Sequence, residues 1–131
     1  MTKQSLEEIL KEIAEEIYPF LHSPTPDNPS LIEQRGANLQ SYIARLTKMI
    51  SDCKFWKDIA IHDAVLESKG QVAQTVMNKF CEAKCQHENY AVNVIDGLIK
   101  KCYAENDWNR TLLSKAKAEY IASQQSRQNP H

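Results

Sequence analysis

At 131 residues and 15.0 kDa, the chain is sized for one domain with a core of its own. Sixteen Lys+Arg against seventeen Asp+Glu leave a formal charge of -1, which excludes a polycation that coats nucleic acid, and 42% hydrophobic residues exclude a chain disordered throughout. No apolar run approaches the roughly 20 residues of a membrane span, and MTKQSLEEIL has no apolar leader, so a cytoplasmic location with four reduced thiols is expected.

Four of the five prolines (Pro19, Pro24, Pro26, Pro29) crowd into one window, and the stretch from there to Pro130 holds three isolated glycines. Turn residues this sparse exclude an all-β domain and predict an all-α chain. A first helix is expected over residues 5–20, opened by a Ser5/Glu8 capping box. Leu6, Ile9, Leu10, Ile13, Ile17 and Phe20 share its inner face, and Glu7, Glu8, Glu12, Glu15 and Glu16 form a solvated outer one. Pro19 should end or kink this helix, and residues 22–29 (HSPTPDNP) read as an extended linker.

A second capping box, Ser30/Glu33, predicts one long helix from Leu31 to Lys69. Leu39, Tyr42, Leu46, Met49, Cys53, Trp56 and Ala60 follow at alternating steps of three and four, without a phase change at Ser51-Asp52. Gly70 is the expected C′ residue. A short helix from Gln71 to His87 carries Val72, Ala73, Val76, Phe80 and Ala83 on one face. The last helix runs from Asn89 to Gln125, and its apolar line is Ala91, Val94, Ile95, Leu98, Cys102, Leu112, Leu113, Ala116 and Tyr120. Residues 126–131 read as a polar tail. The expected architecture is one helical domain over residues 1–131. Two long antiparallel helices make an elongated hairpin (helical body 31–125), joined by a short helix and preceded by the N-terminal amphipathic one. So thin a body is expected to bury its flanks by self-association.

Little in the chain points to chemistry. Cys81-x3-Cys85-x-His87 offers soft metal ligands, but on a continuous helix the thiols share a face about 40° wide and the imidazole points away. No metal or other cofactor is expected. If the Val76–Phe80 stripe faces the core, Cys81 and Cys85 face solvent or a partner. His62 and Asp63 are adjacent and do not face each other on a helix. No nucleophile elbow, dinucleotide loop or P-loop occurs, so no enzyme is expected. Residues 97–131 hold six basic residues against three acids, and residues 1–33 hold two against seven. On the last helix Lys100, Lys101, Arg110, Lys115 and Lys117 encircle the axis and form no stripe. Glu105 and Asn109, one turn apart on the apolar line, are polar where the core should be. Such residues serve to fix register or oligomer state.

The order FWKDIA (Phe55 to Ala60) on one long helix and WNRTLLSKAKAEY (Trp108 to Tyr120) on a second resembles a class of small all-helical proteins encoded by phages and prophage-like elements. The resemblance covers about residues 38–121, and Arg110, Thr111, Ser114 and Lys117 match its Arg-Thr/Ser-x-x-Ser-x-x-Lys segment. It implies a mobile-element origin beside DNA-recombination functions and carries over no catalytic residue. The expected function is a non-enzymatic, self-associating protein–protein interaction module of that type. Cys81, Cys85, Glu105, Trp108, Asn109 and Arg110 are its candidate interface. Two other readings stay open: a nucleic-acid-binding accessory to recombination or replication, and a small inhibitor of a host nuclease or defence protein. A protein partner, the chain itself included, is expected, and a membrane is not.

Overall fold

The structure, a computed structural model, describes residues 3–70 and 72–128. Among them every regular element is helical: α1 (Leu6–Glu12), a π-helical turn (Ile13–Ile17), α2 (Tyr18–Leu21), α3 (Pro29–Glu67), α4 (Gln74–Lys84) and α5 (Gln86–Gln128). Ser5 caps α1, its hydroxyl accepting the Glu8 N–H at 3.2 Å. Just upstream, α3 clamps the Gln4 backbone from both sides. The Trp56 indole N–H donates to the Gln4 carbonyl at 2.7 Å, and the Gln4 N–H donates to Asp52 Oδ2 at 3.2 Å. That clamp explains a buried carboxylate in the middle of a long helix.

Pro19 does not end the first helix. Ahead of it the chain widens into the π turn, where the Tyr18 N–H reaches back five residues to the Ile13 carbonyl. In an α-helix the proline ring would crowd the Glu15 carbonyl; the wider turn gives it room, and the helix continues to Leu21. The π turn also rotates less per residue. Ile9, Ile13, Ile17 and Leu21 are spaced four apart, a step that drifts about 40° each time on an α-helix. The π turn absorbs that drift, and all four side chains are buried.

The long helix starts at Pro29, two residues before the expected Leu31. Asn28 Oδ1 accepts the Ser30 and Leu31 N–H groups at 2.8 and 3.4 Å, and Pro29 occupies the first turn, where its missing N–H costs nothing. Ser30 therefore lies inside the helix, and the expected second capping box does not form. Glu33 instead meets Lys117 at 3.2 Å. The helix runs unbroken through Ser51-Asp52 and ends at the Ser68 cap. Gly70, in the left-handed region at φ 71°, stands one residue beyond the C′ position expected for it.

Residue contacts fix the directions. Ile32 meets Asn109, Arg35 meets Glu105, and Trp56 lies near His87, so α3 and α5 run antiparallel. Gln4 lies at Trp56, Glu16 at Arg45 and Ser23 at Arg35, so the N-terminal helices run antiparallel to α3. One core joins Ile9, Ile13 and Ile17 to Leu39, Leu46, Met49 and Cys53 of α3 and to Ala91, Ile95, Leu98 and Cys102 of α5. The three-and-four seam of α3 is thus filled from within the chain, and it supplies no argument for a second copy along that face.

The short helix corrects the expectation most. It has 11 residues and buries none of them; Val76 is 48% exposed, and Ala73 and Ala83 are exposed too. Met77 and Cys81 face α3 instead, lining a groove with Ile61 and Val65, and the Ser68 hydroxyl donates to Met77 Sδ at 3.4 Å. The expected phase assumed one helix from Gln71 to His87. The chain instead breaks at Cys85 (φ -114°, ψ 22°), α5 begins at Gln86, and Cys85 is drawn inward to 2% exposure. At the other end α5 reaches Gln128, so its last helical turn takes in part of the expected tail.

Two of the five glutamates on the outer face, Glu12 and Glu16, are engaged by an arginine of α3. Arg45 bonds Glu12 and holds both oxygens of Glu16 at 2.7–2.8 Å, keeping the Glu16 carboxyl below its ordinary 4.5. For Asp52, burial raises the pKa, but Lys48 at 2.7 Å and the Gln4 N–H outweigh it, and the net value lies below 3.8. Both folded values are depressed. Their stabilisation is complete above the ordinary values and is lost as pH falls through the folded ones. Denaturant titrations should therefore show these groups adding no slope above about pH 5 and a falling stability below about pH 4. Asp52→Asn should flatten part of that acid limb.

Candidate interaction surfaces

A buried polar belt crosses the α3–α5 seam. Arg35, 6% exposed, sits on the inward line of α3 between Ile32 and Leu39. Its guanidinium donates to Ser23 Oγ at 3.0 Å, lies 3.8 Å from Glu105 Oε2, and covers the Phe20 ring at 5.0 Å. Glu105 is therefore on the apolar line because an arginine is buried opposite it. Sequence reasoning missed that arginine. The available signal was a cation at a core step of one long helix facing an anion at a core step of the other.

One turn on, Asn109 Nδ2 donates to the Ile32 carbonyl at 2.9 Å. Gly36 makes this approach feasible, because a Cβ there would stand 3.0 Å from Nδ2. Asn109 Oδ1 is buried with no hydrogen-bond partner, and Asn106 beside it is also buried. The belt thus holds α3 and α5 of one chain in a single register. Asn109→Leu removes the orphaned oxygen, while the Ile32 carbonyl keeps its helical bond. The substitution should raise stability by about 1 kcal/mol, read from a melting curve.

The six candidate interface residues do not form one patch. Cys85 and Asn109 lie inside the chain, Cys81 is half-buried under α4, and Glu105 is engaged with Arg35. Only Trp108 and Arg110 are outward and open, and two residues of separation put them on opposite sides of α5. Cys81 and Cys85 line the α3–α4 groove, whereas His87 lines another groove beside Trp56 and Asp63. Among the described residues no three His, Cys, Asp or Glu side chains converge. Burial pushes the Cys53 thiol up to about 11 and raises that of Cys102, which keeps both in the unreactive thiol form. His62 Nδ1 does approach Asp63 Oδ1, at 3.7 Å, but both side chains are solvated.

Beyond the belt α5 outruns its partners. Leu112, Leu113 and Ala116 are half-buried, but Tyr120, expected on the core line, is 63% exposed. The cause is simple: α2 stops at Leu21 and α3 begins at Pro29, so among the described residues it is the first turn of α3, with Pro29, Ser30 and Glu33, that flanks Lys117, Tyr120 and Ile121. Pro29, Tyr120 and Ile121 line an open apolar groove at this end, beside Lys117. Among the described residues no helix is long and apolar enough to cross a membrane. Comparison with protein-family models, curated proteins and solved structures finds no match for this chain.

Proposed function

We propose that the chain is a non-enzymatic helical interaction module that pairs with a second copy of itself through the end of α5. The observation that carries this reading is the continuation of the apolar line past Asn109, through the half-buried Leu112, Leu113 and Ala116 to Tyr120, which with Ile121 stands largely exposed. Charge supports the same occupant. Residues 97–131 hold six basic residues against three acids and residues 1–33 hold two against seven, so one copy's C-terminal stretch complements another's N-terminal one. A mobile-element origin belongs to this reading through the segment Arg110, Thr111, Ser114 and Lys117, all four of them exposed on α5.

Sedimentation at micromolar concentration should show a dimer. The double variant Tyr120→Lys, Ile121→Lys should sediment as a monomer with unchanged helicity, since both positions are exposed. A monomeric parent chain across that range would remove the reading.

A further inference from the structure

The basic residues that encircle α5 are not equivalent once their partners are known. Lys100 is 3.0 Å from Asp96, Lys117 is 3.2 Å from Glu33, and Arg110 is 3.9 Å from Asp107. Lys101 and Lys115 are exposed and in no ion pair among the described residues. These two share a line with two open aromatic rings. Taking Trp108 as zero at 100° per residue, Tyr90 falls at about 0°, Lys101 at about +20° and Lys115 at about -20°. Tyr90 is 60% exposed and Trp108 55%. Gly97 and Ala104 lie beside this line and are too small to shield the rings. The nearest acid between its ends, Glu105, is about 60° away and turned toward Arg35. Glu119 closes the line one turn beyond Lys115.

We propose that the stripe Tyr90–Lys101–Trp108–Lys115 binds single-stranded nucleic acid. The order aromatic, cation, aromatic, cation runs along about 37 Å of helix at 1.5 Å per residue. It matches a strand that offers unstacked bases and phosphates in alternation. A duplex hides its base faces in the stack and would leave both rings without partners. The chain's formal charge of -1 makes this a local site and not a coat. It is separate from the Pro29–Tyr120–Ile121 groove proposed for pairing, so the two readings can fail independently.

Filter binding of a labelled 20-nucleotide oligo-dT to the full chain tests it. Two released counterions give a log–log salt slope of about -1.4, so affinity should fall about sevenfold between 50 and 200 mM salt. Trp108→Ala should weaken binding at least about fivefold, the low end for losing one stacked base. The pair Lys101→Gln, Lys115→Gln should weaken it more than the charge-matched pair Lys100→Gln, Arg110→Gln. All these positions are exposed, and matched circular dichroism would establish that each variant folds. The proposal is overturned by absent binding, by equal loss in the two double variants, or by a duplex of the same length binding as well as the single strand.

Discussion

Arg35→Ala is expected to lower the unfolding free energy by about 3 kcal/mol, measured as a shifted denaturation midpoint with an unchanged slope. The substitution removes the bond that ties Ser23 of the linker to α3, the counter-charge of Glu105, the guanidinium stacked on Phe20, and the buried aliphatic stem. Breaking a buried pair costs about 3–5 kcal/mol when the surviving charge is trapped. Glu105 keeps 30% exposure and can turn to water, which places the cost at the low end. Arg35→Met keeps most of the stem and should recover about half of the loss. Glu105→Gln should cost under about 1 kcal/mol, because Arg35 retains Ser23 and Phe20. A cost for Arg35→Ala as small as that of Glu105→Gln would mean that the arginine is not holding the linker.

Ile17→Ala should be of similar or greater size, about 3–4 kcal/mol, within the range for emptying a buried aliphatic site. Ile17 has no exposed surface and sits at the end of the π turn, next to a residue pair whose backbone is constrained by Pro19. The helix cannot close the cavity by shifting phase, because Ile13 and Leu21 are anchored on the same line. Leu31→Ala is the matched control: Leu31 is largely exposed, and its loss should stay within about 0.5 kcal/mol. Equal effects at the two positions would show that the π turn does not hold the core line.

Periodicity carried the helical class and the long unbroken helix, because a phase kept from Leu39 to Ala60 is a strong, redundant signal. Boundaries depended on single residues, and there the reading slipped. Ser30 and Asn28 are both good caps, and Pro29 at the first turn decides between them only when the two are weighed together. The phase of the short helix was illegible for another reason. Its inner residues, Met77 and Cys81, are no more apolar than the exposed Val76 and the half-buried Phe80, so its rotation is set by the turn after Ser68 and by the break at Cys85. No composition rule marks Cys85 as a joint, since neither glycine nor proline is there. Among the interface candidates, Glu105 and Asn109 were legible as anomalies. Their partners, Arg35 and the Ile32 carbonyl, required two helices to be laid side by side, and one of those partners is backbone, which leaves no trace in side-chain pattern.

The two indoles divide the molecule's intrinsic emission. Trp56 is half-buried and tied to the Gln4 carbonyl, whereas Trp108 stands in water on the free side of α5. The native spectrum is therefore a sum of a blue component that reads the docking of the N-terminal helix and a red one that does not. Undocking of that helix shifts the first, and an ionic quencher reaches the second more readily than the first. With Trp108 replaced by phenylalanine, a single reporter remains at the Gln4 clamp, and it registers release of the first helix from α3.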